Sequence, residues 1–167
     1  MVEQPLPIAE ATMPGRIDTR LTELGLTLPP AQPPVATYVP YVITGNLVVI
    51  SGQLPIHDGK LYWTGKLGLT IEVEEGKLAA RQCLLNVLAH LKNACDGDLD
   101  RVARVVRLAG FVACASEFTQ HPLVMNGASD LAVEIFGHAG RHARVTVGVP
   151  SLPSDSPVEI EGMFEID

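Results

Sequence analysis

Near the end of the chain apolar and acidic positions alternate strictly: Val158, Ile160, Phe164 and Ile166 share one parity, Glu159, Glu161 and Glu165 the other. Successive strand side chains point to opposite faces, so this pattern predicts a strand with one buried face and one carboxylate-bearing face. Val145, Val147 and Val149 alternate in the same way with Arg144, Thr146 and Gly148, predicting a strand over 143–149. Upstream the period changes. Leu78, Leu84, Leu85, Leu88, Leu91 and Cys95 recur at helical spacing between Val73 and Cys95. Glu72, Glu74 and Glu75 stand at the end of that segment where a helix dipole favours negative charge. A second helix is predicted from Pro122, a good first-turn residue, to Phe136, with Gly137 beyond it.

The remaining strands are marked by turns. Gly45-Asn46 separates two strand-like runs, 38–43 and 47–51, as a hairpin signal. Asp58-Gly59 marks another turn before a short strand near 61–64, and the Val-rich run 101–115 reads as a central strand. Near the start, Ile17, Leu21 and Leu24 fall on one face of a short helix that Gly25 closes. Residues 1–15 are Pro-rich and aperiodic, and four prolines between Pro29 and Pro34 form a linker. This divides the chain into an arm over 1–34 and a body over 35–167. The order of elements in the body predicts an α+β fold, a mixed sheet with two helices packed on one face. Its other face is left to solvent or to a partner chain.

Composition narrows the function. The 167 residues are 47% apolar and 19% charged, with mean hydropathy +0.23, rather apolar for a monomer and consistent with burial between subunits. The net charge is −7 and no basic stripe is present, which disfavours nucleic acid as a partner. The start lacks a secretory pattern, and no apolar run approaches the ~20 residues of a membrane helix. Cys83, Cys95 and Cys114 form no Cys-x-x-Cys pair and are expected as free thiols in a reducing, cytoplasmic setting.

Candidate chemistry centres on the last two strands. Arg144 and Thr146 lie on one strand face about 7 Å apart, able to offer a guanidinium and a hydroxyl to one small ligand. The plainer alternative is a surface arginine in a weak ion pair. Three carboxylates on one strand face are usually solvated, though one becomes an acid–base group if a cleft encloses it. No metal is expected: His138 and His142 are four apart but separated by Gly140, His90 is isolated, and His57 and His121 fall in turn-like contexts. Ser51-Gly52-Gln53 lacks a nucleophile elbow, no cysteine shows an obvious histidine partner, and no phosphate loop is evident. Neither nucleophilic catalysis nor a cofactor is expected.

Four segments together resemble the Rid family, the reactive intermediate deaminases, also labelled YjgF or endoribonuclease L-PSP. Tyr38 lies thirteen residues before Ser51-Gly52-Gln53 with Gly45-Asn46 between. Asn126 falls early in the second helix, which ends at Phe136. Ala143-Arg144 opens the signature strand, and Leu152-Pro153 leads into Val158-Glu159-Ile160-Glu161. The resemblance spans residues 38–166. It implies a chorismate-mutase-like fold, a homotrimer with clefts between subunits, and hydrolysis of 2-imino acids to 2-keto acids and ammonia without a cofactor. It also implies that Arg144 holds the substrate carboxylate while Glu159 positions and deprotonates water. Tyr38 is expected to close the cleft, Gly52 and Thr146 to line it, and Asn126 to support its wall. Val145-Thr146 stands where the best-studied branch has Ser-Cys, and the loop 62–68 carries the only Trp, which points to a different substrate side chain. Two other readings are a non-catalytic sensor of carboxylate metabolites and, last, an RNA-cleaving enzyme.

Overall fold

In the computed structural model, residues 14–32 and 37–167 are described. Most of the Pro-rich arm expected over 1–15 and Pro33 and Pro34 of the linker lie outside the described residues. In chain order the elements are α1 (Arg16–Glu23), β1 (Tyr41–Thr44), β2 (Leu47–Gln53), β3 (Ile56–His57), β4 (Lys60–Leu61), α2 (Val73–Ala94), β5 (Val102–Ala113), α3 (His121–Phe136), β6 (Ala143–Val149) and β7 (Val158–Ile166).

Five strands form one sheet in the order β1-β2-β7-β5-β6. The β5–β6 pair is parallel and the other neighbours are antiparallel. A parallel pair needs a crossover, and α3 supplies it. Helices α2 and α3 cover one sheet face, which gives the expected α+β fold. Val48, Ile50, Leu108, Val112, Ile160 and Phe164 from the sheet are buried in one core with Leu84, Leu88, Leu91, Met125 and Leu131 from the helices. At the helix crossing, Gly127 has no room for a side chain, because a Cβ there would collide with the carbonyl of Lys77 on α2.

Among the described residues, no element of the chain covers the opposite face of the sheet. Val42, Val49, Val145 and Val147 are exposed on it, with Phe111, Met163, Glu159 and Glu161 half-buried among them. No helix among the described residues is long and apolar enough to cross a membrane.

Local chemistry explains the boundaries. Helix α2 opens with a capping box in which Glu72 and Glu75 each accept the other's backbone N–H. Helix α1 is latched by Asp100, whose two carboxylate oxygens accept the N–H groups of Arg16 and Ile17, each at 2.7 Å. Lys92 on α2 adds an ion pair to Asp18 at 2.7 Å.

Three expectations need correction. Leu78 is 54% exposed and lies on the outer side of α2, because the buried stripe runs through Ala79, Ala80, Cys83 and Leu84 instead. The first strand starts at Tyr41 rather than Tyr38. The strand expected near 61–64 is the short β3–β4 hairpin, separate from the main sheet. Asp58 and Gly59 both adopt positive φ there, the signature of a tight two-residue turn that uses up the local pairing.

Candidate functional site

Arg144 projects from the edge strand β6 toward α3. It pairs in register with Leu108 on β5, a fully buried residue on the helix-covered face, so its side chain shares that face. Its Nη1 donates to Asn126 Oδ1 at 2.8 Å and to Ser129 Oγ at 3.1 Å, both on α3. Behind Ser129 stands His142. Its Nδ1 is 2.6 Å from the Gly140 carbonyl oxygen and therefore carries the proton, leaving Nε2 to accept from Ser129 Oγ at 3.1 Å. The chain of donors thus runs from Arg144 through Ser129 to His142 and ends on the backbone. Both direct partners of the guanidinium are neutral, and among the described residues no carboxylate lies in ion-pair range of it. The weak surface ion pair weighed from the sequence is not what holds this arginine. Among the described residues the remaining N–H groups of its planar fork have no partner, which leaves them to a ligand anion.

Thr146 follows on the same face of β6, in register with Gly110. Its Oγ1 is buried and has no hydrogen-bond partner among the described residues. An orphaned buried hydroxyl costs roughly 1–3 kcal/mol, so this position is incomplete in the isolated chain.

Glu159 lies on the other face of the sheet. Its register partner on β5 is Phe111, three residues from the Leu108 that marks Arg144, and an odd separation along a strand reverses the face. The two groups also stand two strand spacings apart, about 10 Å across the sheet. Gly52 packs directly against Glu159: a Cβ at Gly52 would collide with the carboxylate Oε1. Burial, and then the neighbouring Glu161, raise the Glu159 carboxyl above the ordinary range. Ser51 N donates to the Pro40 carbonyl at 2.9 Å and Ser51 Oγ to that of Val39 at 2.8 Å, which brings the exposed Tyr38 to the same end of β2 as Gly52.

The six residues singled out from the sequence therefore form two groups. Asn126, Arg144 and Thr146 meet on the helix-facing side of the β6 edge. Gly52 and Glu159 meet on the open side near β2 and β7, and Tyr38 lies near the same end of β2. A single chain does not bring the guanidinium to the carboxylate.

Sequence reasoning missed Ser129 and His142, which sit three and sixteen residues from Asn126 and show no motif. It also overlooked a cysteine–histidine pair: Cys114 Sγ and His121 Nε2 are 3.4 Å apart. His121 is the first residue of α3 rather than part of a free turn, and chain reversal between β5 and α3 creates the contact. No group of three His, Cys, Asp or Glu side chains converges among the described residues.

Comparison with known proteins bears on the family and the fold. Residues 18–164 match the family model described as "YjgF/chorismate mutase-like, putative endoribonuclease". The chain belongs to the YjgF/Rid family. The match begins within α1, well before the segments that carry the sequence resemblance. Protein TCP17 of Trypanosoma cruzi is 46% identical over 154 residues, 92% of this chain and 96% of that protein. The crystal structure of Atu1372 from Agrobacterium tumefaciens, a protein of unknown function, is 48% identical with a TM-score of 0.85, covering 90% of this chain and 92% of that one. A Shewanella oneidensis protein solved under the same endoribonuclease description is 39% identical with a TM-score of 0.87, covering 90% of this chain and 99% of that one. YjgF/Rid membership settles the fold; the chemistry rests on the site.

Proposed function

We propose that this YjgF/Rid chain hydrolyses reactive 2-imino acids to 2-keto acids and ammonia as a cytoplasmic homotrimer, each site being completed between two subunits. The carrying observation is Arg144, held by neutral partners at a sheet edge with most of its donors unused. Such a group is built to receive an anion, and a carboxylate fits its planar fork.

The second requirement is a base, and Glu159 has the right character. It is half-buried and its carboxyl is raised, so it takes a proton more readily near neutral pH than a solvated carboxylate does. The electrophilic carbon of an imine needs only an oriented water and proton transfer. Glu159 accepts a proton from water as its oxygen attacks that carbon. That proton passes to the nitrogen to give a carbinolamine. The hydroxyl proton of the carbinolamine then moves through Glu159 to the same nitrogen, and the C–N bond breaks as the C=O bond forms, releasing ammonia and the keto acid. Arg144 fixes the carboxylate throughout. The apolar open face supports association, because a partner seated there covers Val145 and Val147 and sets its own β6 edge near Glu159. An RNA-cleaving role finds no support in a chain of net charge −7.

Subunit mixing provides the test. Arg144→Ala and Glu159→Gln are each expected to lose roughly 100-fold or more in ammonia release from imines generated in situ by an amino-acid oxidase. Co-refolding the two variants restores part of the rate, since some mixed interfaces pair an intact Arg144 with an intact Glu159. Folded variants that stay silent when mixed would sink the intersubunit assignment, and an inert wild-type protein would sink the activity itself.

A further inference from the structure

One cluster of reactive side chains lies outside both groups. Cys114 stands just past the end of β5, and His121 opens α3 with its Nε2 3.4 Å from the thiol sulfur. Gly148 on β6 leaves the space they occupy: a Cβ there would lie 2.5 Å from His121 Nε2 and 2.8 Å from Cys114 Sγ. Phe118 packs edge-on against the imidazole, ring centroids 5.2 Å apart, and holds its plane. The pair lines a cavity of about 430 Å³ whose walls include Ala115, Ser116, Phe118 and Gly148. The other two cysteines, Cys83 and Cys95, are fully buried elsewhere.

The geometry points to Cys114–His121 as a nucleophilic thiol site for soft carbon electrophiles, namely the β-carbon of an α,β-unsaturated carbonyl or imine. Sulfur is polarisable and prefers such carbons, and the cavity beside the pair gives a small conjugated group access to the sulfur. His121 Nε2 removes the thiol proton as the Sγ–C bond forms. The C=C electron pair moves into the conjugated system, and the α-carbon then takes the proton back from His121. The product is the saturated thioether, with no oxidant or reductant consumed. The base is required: burial holds the thiol above its ordinary pKa against smaller opposing contributions from the Val149 backbone and Lys66, so it rests protonated. His121 opens a helix of 16 residues, whose positive end further favours the thiolate once formed. This inference stands apart from the Arg144 and Glu159 reading.

N-ethylmaleimide, itself a conjugated alkene, is the probe, applied to the full-length protein and followed by intact mass and peptide mapping. One equivalent is expected on Cys114, faster than on N-acetylcysteine at the same pH, which a half-buried protonated thiol without a base does not achieve. His121→Gln is expected to slow the reaction roughly 10-fold or more while thermal unfolding shows a folded protein. Gly148→Ala, which crowds the pair from the opposite side, slows it as well and carries the test if the His121 variant does not fold. The proposal is overturned if Cys114 reacts more slowly than N-acetylcysteine, or at an unchanged rate in a folded variant of either kind.

Discussion

Gly52 and Glu159 face each other so closely that a methyl group on Gly52 would occupy the space of the Glu159 carboxylate oxygen. Gly52 does not have positive φ, so alanine fits the backbone there and only the space is lacking. The glycine is a feature of the carboxylate's pocket rather than of a turn.

Gly52→Ala is therefore expected to act on chemistry more than on folding. The carboxylate must swing away, and kcat/KM falls by roughly 100-fold, comparable to the loss of an acid–base group. The stability cost is about 1–3 kcal/mol, the usual range for modest overpacking. Paired measurements of turnover and thermal unfolding check the split; a large loss of stability with normal turnover in the folded fraction contradicts it.

The pH dependence of turnover follows from the same carboxyl. In the proposed role Glu159 acts as base only when ionised, and burial together with Glu161 raises its pKa. The acid limb of kcat/KM is thus expected above the ordinary glutamate value of about 4.3. Glu161→Gln removes the neighbouring negative charge and moves that limb to lower pH. A limb that stays put or rises in the Glu161 variant argues against Glu159 as the base.

Ser129 touches no substrate in this arrangement; it positions Arg144. Ser129→Ala removes one acceptor from the guanidinium and disconnects His142, at a cost of about 1 kcal/mol or a little more. The expectation is a KM increase of roughly five- to tenfold with kcat changed less than about twofold, the signature of lost binding rather than lost proton transfer. Ser129→Thr, which keeps the hydroxyl, recovers most of the affinity.

Stability in mild acid is expected to depend on His90. This residue is buried on α2 with Nδ1 unpartnered, and burial lowers its pKa from 6.5. The unfolded chain then binds a proton that the folded chain resists, so stability falls as pH drops below about 6.5 toward the lower folded value. His90→Leu removes both the titration and the orphaned nitrogen. Denaturant unfolding at two pH values on either side of 6.5 is expected to show a smaller difference for the variant than for the parent.

Much of this fold was written in local pattern. The β6 and β7 strands match the bounds of their alternating runs, but only β7 buries its apolar parity, whereas the valines of β6 face the open side of the sheet and Val145 and Val147 stay exposed. The helices α2 and α3 follow from period and caps. Leu78 misled because helical spacing alone does not say which of two neighbouring stripes meets the sheet. The six candidate site residues were legible as residue types at familiar spacings, yet their division between two sheet faces emerges only from the register of β5 with both β6 and β7. The contacts of Ser129 with His142, and of Cys114 with His121, depend on how α3 lies across the β6 edge. No one-dimensional spacing encodes that placement.

The bare contact between Gly127 and the Lys77 carbonyl has one more effect. Main chain against main chain has no rotamers to relax, so it gives α3 a hard stop. Asn126 is the adjacent residue, and through it the arginine at 144 is gauged from the backbone of α2 instead of from a compressible layer of methyl groups. Under the proposed function, side chains at the rim can then vary, and with them the ligand's tail, while the grip on its anionic head keeps a constant height.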